Sequence, residues 1–344
     1  MLDTLASVSQ CAVPIVATSS ESFAGVAAAR GAQICLDEGD FHFGRSLRTL
    51  IDRFEVDRAF YLGGGSTPLL SRTDVESIVN RVTTEDDCLM ANNFFSCDFV
   101  AFSPASAIHR IRLPPIDNDL AFRLNREAGL KNVTVPRSAG TQMDVDTPTD
   151  LTILSLHPNI GRNLREFLDR SNLDTDRVRK IGRIVTDPRC EVVVAGRVGS
   201  AVLAHLETEA ACRTRVFSEE RGMRANGREA RREVRSLLGY HLAAVGPYRF
   251  FQNLADLGNA ALIDSRVLFH HLGLDPSPAD RFLSDLLRPE AIVDSAVREF
   301  TQAAVEAALP VLLGGHSLVS GGLWALIDAA WLERDRVGDG RLPA

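Results

Sequence analysis

The chain has 344 residues, 45% of them hydrophobic and 24% charged, with a formal net charge of -7. This is the composition of an ordinary globular protein, long enough for two domains. The acidic balance gives no basic footprint for nucleic acid, no polybasic run marks a membrane surface, and no apolar stretch reaches the ~20 residues a bilayer span needs.

The N-terminus, Met1-Leu2-Asp3-Thr4-Leu5, lacks the basic region and apolar core of a signal peptide. The six cysteines are scattered, with no Cys-x-x-Cys pair, and read as free thiols. A cytoplasmic location is the expectation.

Strand and helix alternate through the first half. Residues 13–17 and 32–36 are short apolar strands, and Ser19-Ser20 can cap a helix over 21–30. Residues 44–54 read as a helix with Leu47, Leu50, Ile51 and Phe54 on one face. A third strand, 58–62, precedes a helix at 73–82. Residues 88–91 and 98–102 are strand candidates on either side of Asn92-Asn93. A helix over 120–128 and a strand over 132–135 follow. Pro114-Pro115-Ile116-Asp117-Asn118-Asp119 reads as a helix cap. This rhythm predicts an α/β fold with a mostly parallel, doubly wound sheet. Ligands of such sheets bind beyond the carboxyl ends of the strands.

After the Leu156-His157-Pro158-Asn159 break the pattern turns mostly helical, over 161–171, 174–184, 229–244, 279–287, 289–308 and 317–332. One βαβ insertion stands out near 190–217. The domains expected are therefore 1–156, α/β, and 157–344, mostly helical. Within the second, Gly196-Arg197-Val198-Gly199-Ser200 lies between a strand and a helix, and Glu219 follows the next strand. A carboxylate at that distance can read a ribose, although the glycine spacing is not that of a dinucleotide site. Leu313-Gly314-Gly315-His316-Ser317 before a helix reads either as an anion site or as a plain cap.

Two segments carry chemistry. The first is Leu62-Gly63-Gly64-Gly65-Ser66-Thr67-Pro68-Leu69-Leu70, a strand end running into a glycine turn. Taken alone, three glycines there are more often a turn than a phosphate cradle. The second is Met143-Asp144-Val145-Asp146-Thr147-Pro148-Thr149-Asp150-Leu151. In an extended chain Asp144 and Asp146 point the same way and can share one metal or ligand. Taken alone, Asp-Thr-Pro-x-Asp is equally a turn and helix cap.

Together the two segments resemble the nucleotidyltransferase-like family, which includes molybdenum-cofactor and phospholactate guanylyltransferases and sugar-nucleotide pyrophosphorylases. The resemblance covers residues 1 to about 155. It implies transfer of a nucleotidyl group from an NTP to a phosphorylated small molecule, with Mg²⁺ held by Asp144 and Asp146, which are also the implied catalytic residues. Substrate contacts would come from Gly63, Gly64, Gly65, Ser66, Asn92 and Asn93. Two departures stand out. Ser66 occupies the position where the family places a metal-binding aspartate. The Gly-rich phosphate loop with its basic residue is not found in this sequence: either an earlier start supplies it, or the protein lacks it and one strand with it. A sheet lacking that strand has an unpaired edge, which leaves room for a homo-oligomer. A non-catalytic binding or assembly protein on a degenerate transferase fold is the other reading.

Overall fold

A computed structural model describes residues 1–37 and 39–338. The protein is α/β. It divides into two compact units, Met1–Asp144 with Gly161–Leu164, and Val145–Ile160 with Arg165 onward. The division falls inside the Asp-Val-Asp segment.

In the first unit the elements are α1 (Leu2–Val8), β1 (Ile15–Thr18), α2 (Glu21–Ala28), β2 (Gln33–Leu36), α3 (Phe43–Arg53), β3 (Ala59–Leu62), α4 (Arg72–Thr84), β4 (Cys88–Ala91), β5 (Phe99–Ser103), α5 (Leu120–Arg126), β6 (Lys131–Thr134) and α6 (Ala139–Gln142). The predicted elements are all present, displaced by one or two residues. The sheet differs from a single, mostly parallel one. β1 and β2 form a parallel pair by themselves, and β3, β5, β4 and β6 form a second sheet in that order. β5 runs antiparallel to both its neighbours, while β4 and β6 are parallel. Alternation along a strand reports which face is buried but not its direction, so sequence could not reveal the reversal. Among the described residues, one edge of β1 and one edge of β3 have no strand partner.

Period-two alternation builds this unit's core. Leu89, Val100 and Phe102 face α3 and α5, packing on Leu47, Ile51, Leu120 and Leu124. Cys88, Met90, Phe99 and Ala101 face the other way, against Ile78 and Val82 of α4. Residues 161–164 join this unit because the Asp3 carboxylate accepts from the Asn163 and Leu164 backbone amides at 3.0 and 2.8 Å.

The second unit contains α7 (Pro148–Leu156), most of α8 (Arg162–Arg170), α9 (Asp176–Val185), β7 (Glu191–Gly196), α10 (Ser200–Glu209), β8 (Arg213–Ser218), α11 (Leu237–Val245), α12 (Pro247–Leu257), β9 (Ala260–Asp264), α13 (Ser265–His271), α14 (Pro278–Asp285), α15 (Ser295–Glu306), β10 (Val311–Gly314) and α16 (Gly321–Gly338). A mostly helical domain with one βαβ insertion is the expectation here, and the structure corrects it. The insertion is half of a four-stranded, all-parallel sheet in the order β10-β9-β7-β8. The missed strands, Ala260-Ala-Leu-Ile-Asp264 and Val311-Leu-Leu-Gly314, are buried throughout. Short runs buried on both faces show no alternation, and periodicity cannot distinguish them from buried helix. Val193, Ala195, Ala261, Ile263, Val311 and Leu313 pack on one face against residues of α11, α12 and α15.

From β7 the chain moves one way through α10 to β8, then returns to place β9 on the other side of β7. The carboxyl ends of β7 and β9 therefore flank the reversal in strand order, where open α/β sheets bind ligands. At that point Gly196 has φ +125°, and a Cβ on it would lie 2.3 Å from Asp264 Cβ. Both the backbone angle and the space require glycine. Gly196→Ala is expected to cost more than about 3 kcal/mol, from strain and overpacking together. Denaturant midpoints test this. A variant within about 0.5 kcal/mol of the parent would show that the turn relaxes freely.

Candidate functional site

The glycine turn follows β3 directly. Gly63 donates its amide to the Asp98 carbonyl at 3.0 Å, and the Gly63 carbonyl accepts the Ser66 amide at 3.1 Å. The Ser66 hydroxyl also donates to that carbonyl, at 2.8 Å. Ser66 is buried, and its hydroxyl is used in closing the turn. The Met1 side chain lies against Gly64, with Cε 3.4 Å from the position of a Cβ there.

The two segments that carry chemistry in the sequence meet in this unit. Ser66 and Asp144 form an antiparallel bridge, and the Thr67 amide donates to the Met143 carbonyl at 2.9 Å. Helix α6 positions the second segment. Its Gly140 sits so close that a Cβ would lie 3.0 Å from the Leu69 carbonyl oxygen. Asp144 is half-buried at the turn.

Asn92 and Asn93 are used locally. The Asn92 side chain accepts from the Asp98 amide at 3.0 Å and donates to the Asp98 carboxylate at 2.7 Å, tying off the loop after β4. Asn93 accepts from the Phe95 amide at 3.2 Å. The 114–119 stretch does not form the side-chain cap expected of it. Asp117 accepts the Tyr61 hydroxyl at 2.8 Å, and Asp119 pairs with Arg123 at 2.6 Å without bonding the α5 amides. Burial and Asp117 both push the Tyr61 phenol upward, so it stays a donor.

Asp146 and Asp150 belong to the second unit. Asp150 is fully buried. Its Oδ2 accepts from the Thr147 amide at 2.7 Å, the Asp146 amide at 3.0 Å, the Thr147 hydroxyl at 2.9 Å and the Ser317 hydroxyl at 2.6 Å. Its Oδ1 has no partner. The cap foreseen for this residue is present, and it also receives Ser317 from the segment after β10. Burial pushes the Asp150 carboxyl up to about 6, against the opposing pull of those donors.

At the carboxyl edge of this unit's sheet lies a charged cluster. Arg197 grips Asp264 with two bonds, Nε to Oδ2 at 2.5 Å and Nη2 to Oδ1 at 3.1 Å. Burial alone would raise the Asp264 carboxyl, but the Arg197 guanidinium, with His316 and Arg266, more than reverses it and holds the group below the usual carboxylate range. His316 lies within the field of Arg197, Asp264, Asp146 and Arg221. Burial, reinforced by the Arg197 charge, holds its imidazole below the usual histidine range. The sequence singles out Gly196 to Ser200 and Gly314 to Ser317 separately, and the fold brings them to one edge. Asp264 escaped notice; the available signal was a lone carboxylate ending an apolar run. Glu219 is used locally. Its carboxylate accepts the Ser236 hydroxyl at 2.5 Å and the Leu237 amide at 2.6 Å, at the start of α11.

No group of three or more His, Cys, Asp or Glu placed to hold a metal occurs among the described residues. None of the helices among them is long and apolar enough to cross a membrane. No protein-family model matches the chain, and no curated protein matches it.

The Asp150 carboxyl gives a pH test with a definite sign. Its folded value of about 6 lies above the ordinary 3.8, so the folded protein keeps a proton that the unfolded chain gives up. Stability from this group is present below about pH 4, is lost between about pH 4 and 6, and stays lost above that. The stability of the parent minus that of Asp150→Asn should therefore fall by about 2.4 kcal/mol from pH 4 to pH 7. A difference independent of pH in urea titrations would mean that the group ionises normally.

Proposed function

We propose that the first unit is a nucleotidyltransferase-like domain that accepts an NTP and passes its nucleotidyl group to a phosphorylated small molecule. One observation carries this reading: the glycine turn and the Asp144 segment, far apart in sequence, are joined by the Ser66–Asp144 bridge at the end of β3. The order β3-β5-β4-β6, with its antiparallel third-in-sequence strand and its open edge at β3, is compatible with a transferase-type sheet short of one strand.

The donor set fits Mg²⁺ only in a limited sense. Asp144 is a hard oxygen donor, whereas the Ser66 hydroxyl is committed to the Gly63 carbonyl. Mg²⁺ commonly enters with substrate phosphates and one or two protein carboxylates, so Asp144 would hold an ion that arrives with the nucleotide. Bound there, the ion would supply charge neutralisation at the phosphates. The chain's own part is positional. The turn glycines let a ligand approach the backbone, and the bridge fixes Asp144 beside them. The binding-protein reading draws on a separate observation, the internally satisfied Ser66.

Asp144→Asn tests the proposal. Mg²⁺-dependent NTP binding, followed by calorimetry, should weaken at least tenfold while the melting temperature changes little, because Asp144 is only half-buried. Unchanged affinity would remove Asp144 from the site and sink the reading. Tight binding by the parent with no transfer to any phosphorylated acceptor would favour the binding protein.

A further inference from the structure

We propose that Cys190 and Cys212 form a reversible oxidation site, a dithiol that peroxide converts to a disulfide joining the amino ends of β7 and β8. The site lies wholly in the second unit and does not depend on the nucleotidyl-transfer reading.

The inference rests on strand register. β7 and β8 pair in parallel, with Glu191 opposite Arg213. Cys190 and Cys212 each stand one residue earlier, so they face each other at the start of the same ladder. The ladder is already closed at this step, where the Arg213 amide donates to the Cys190 carbonyl at 3.0 Å. Neighbouring strands lie about 4.8 Å apart, within the roughly 4.4–6.8 Å between Cα atoms that a disulfide spans.

The direction of the side chains agrees. Arg215 Nε lies 2.9 Å from Glu191 Oε1 and donates to the Leu257 carbonyl of α12 at 3.0 Å, so both side chains lie on the α12 face. Side chains alternate along a strand, which turns Cys190 and Cys212 together to the opposite face, toward the end of α9. There the Val185 carbonyl accepts the Cys212 amide at 3.3 Å. In the strand registers of the described residues no other cysteine meets a cysteine. Cys35 stands opposite Ala17, and Cys88 lies between Ser103 and Lys131. The Cys97 thiol is directed to the Asp117 and Asn118 carbonyls, and that of Cys11 to Ser7 and Val8.

The two thiols have different parts. Both are free, Cys190 half-buried and Cys212 buried, so peroxide reaches Cys190 first. Burial pushes the Cys212 thiol up to about 11, with the neighbouring Cys190 adding to the shift, which keeps Cys212 protonated until its partner is oxidised. The Cys190 sulfur attacks one peroxide oxygen. An S–O bond forms, the O–O bond breaks and one water leaves. The Cys212 sulfur then attacks the Cys190 sulfur. The S–S bond forms, the S–O bond breaks, and the hydroxyl leaves as a second water with the Cys212 proton. Each sulfur gives up one electron, and the peroxide takes up both in becoming water. The disulfide closes β7, the turn from Gly196 to Gly199 and α10 into one loop, which restricts how far that segment opens.

The test treats the full chain with hydrogen peroxide, blocks the remaining thiols and maps the peptides by mass spectrometry. A cross-link between the Cys190 and Cys212 peptides, short by two hydrogens and cleaved by dithiothreitol, should exceed every other pairing. Cys190→Ser should leave Cys212 unoxidised at the same dose, and Cys212→Ala should leave Cys190 as a sulfenic acid that dimedone traps. Because Cys212 is buried and its variant can lose stability, the cross-link in the parent is the deciding readout. Absence of that cross-link, or a yield no greater than in the urea-unfolded chain, would overturn the proposal.

Discussion

The organisation of this protein turns on one buried carboxylate. Asp150 accepts four hydrogen bonds on a single oxygen, two from backbone amides and two from hydroxyls. Burial opposes the charge, and the donors offset that cost only in part. The result fixes the start of α7 and ties it to Ser317 after β10. Thr149, one residue earlier, donates its hydroxyl to the Leu313 carbonyl at 2.6 Å. The 147–150 turn is thus built into the second unit. Six residues upstream of Thr149, Met143 accepts from Thr67 in the first unit.

The same segment shows how one sequence pattern can support two physical roles. Asp144 is half-buried at the glycine turn. Asp150 is sealed from water and acts through hydrogen bonds. Asp146 lies between them and faces the charges of the second unit's sheet edge. A pattern match treats the three carboxylates alike, and only burial separates their chemistry.

Much of the first unit was legible in the sequence. The amphipathic stripe of α3 and the Ser71 cap of α4 are local signals, and local physics decides them. The direction of β5 was not legible, because strand polarity is set by the connection and not by the side chains. The sheet of the second unit was half legible. Its β7–β8 half has strong flanking turns, whereas β9 and β10 are short apolar runs of the kind that also fill buried helices. The candidate site at the glycine turn was found from residue types, but the commitments of Ser66, Asn92 and Asn93 to their own loops are tertiary facts. Asp264 was invisible for the same reason: its meaning comes from Arg197, which lies on another strand end.

The central claim is that the turn at 63–66 and the Asp144 segment form one nucleotide-receiving surface. Hydrogen exchange by mass spectrometry, with and without Mg²⁺ and NTP, addresses it most directly, since ligand contact slows amide opening where it binds. The account predicts added protection in both the 62–70 and the 139–144 peptides. Unchanged exchange in these peptides at saturating nucleotide would contradict it.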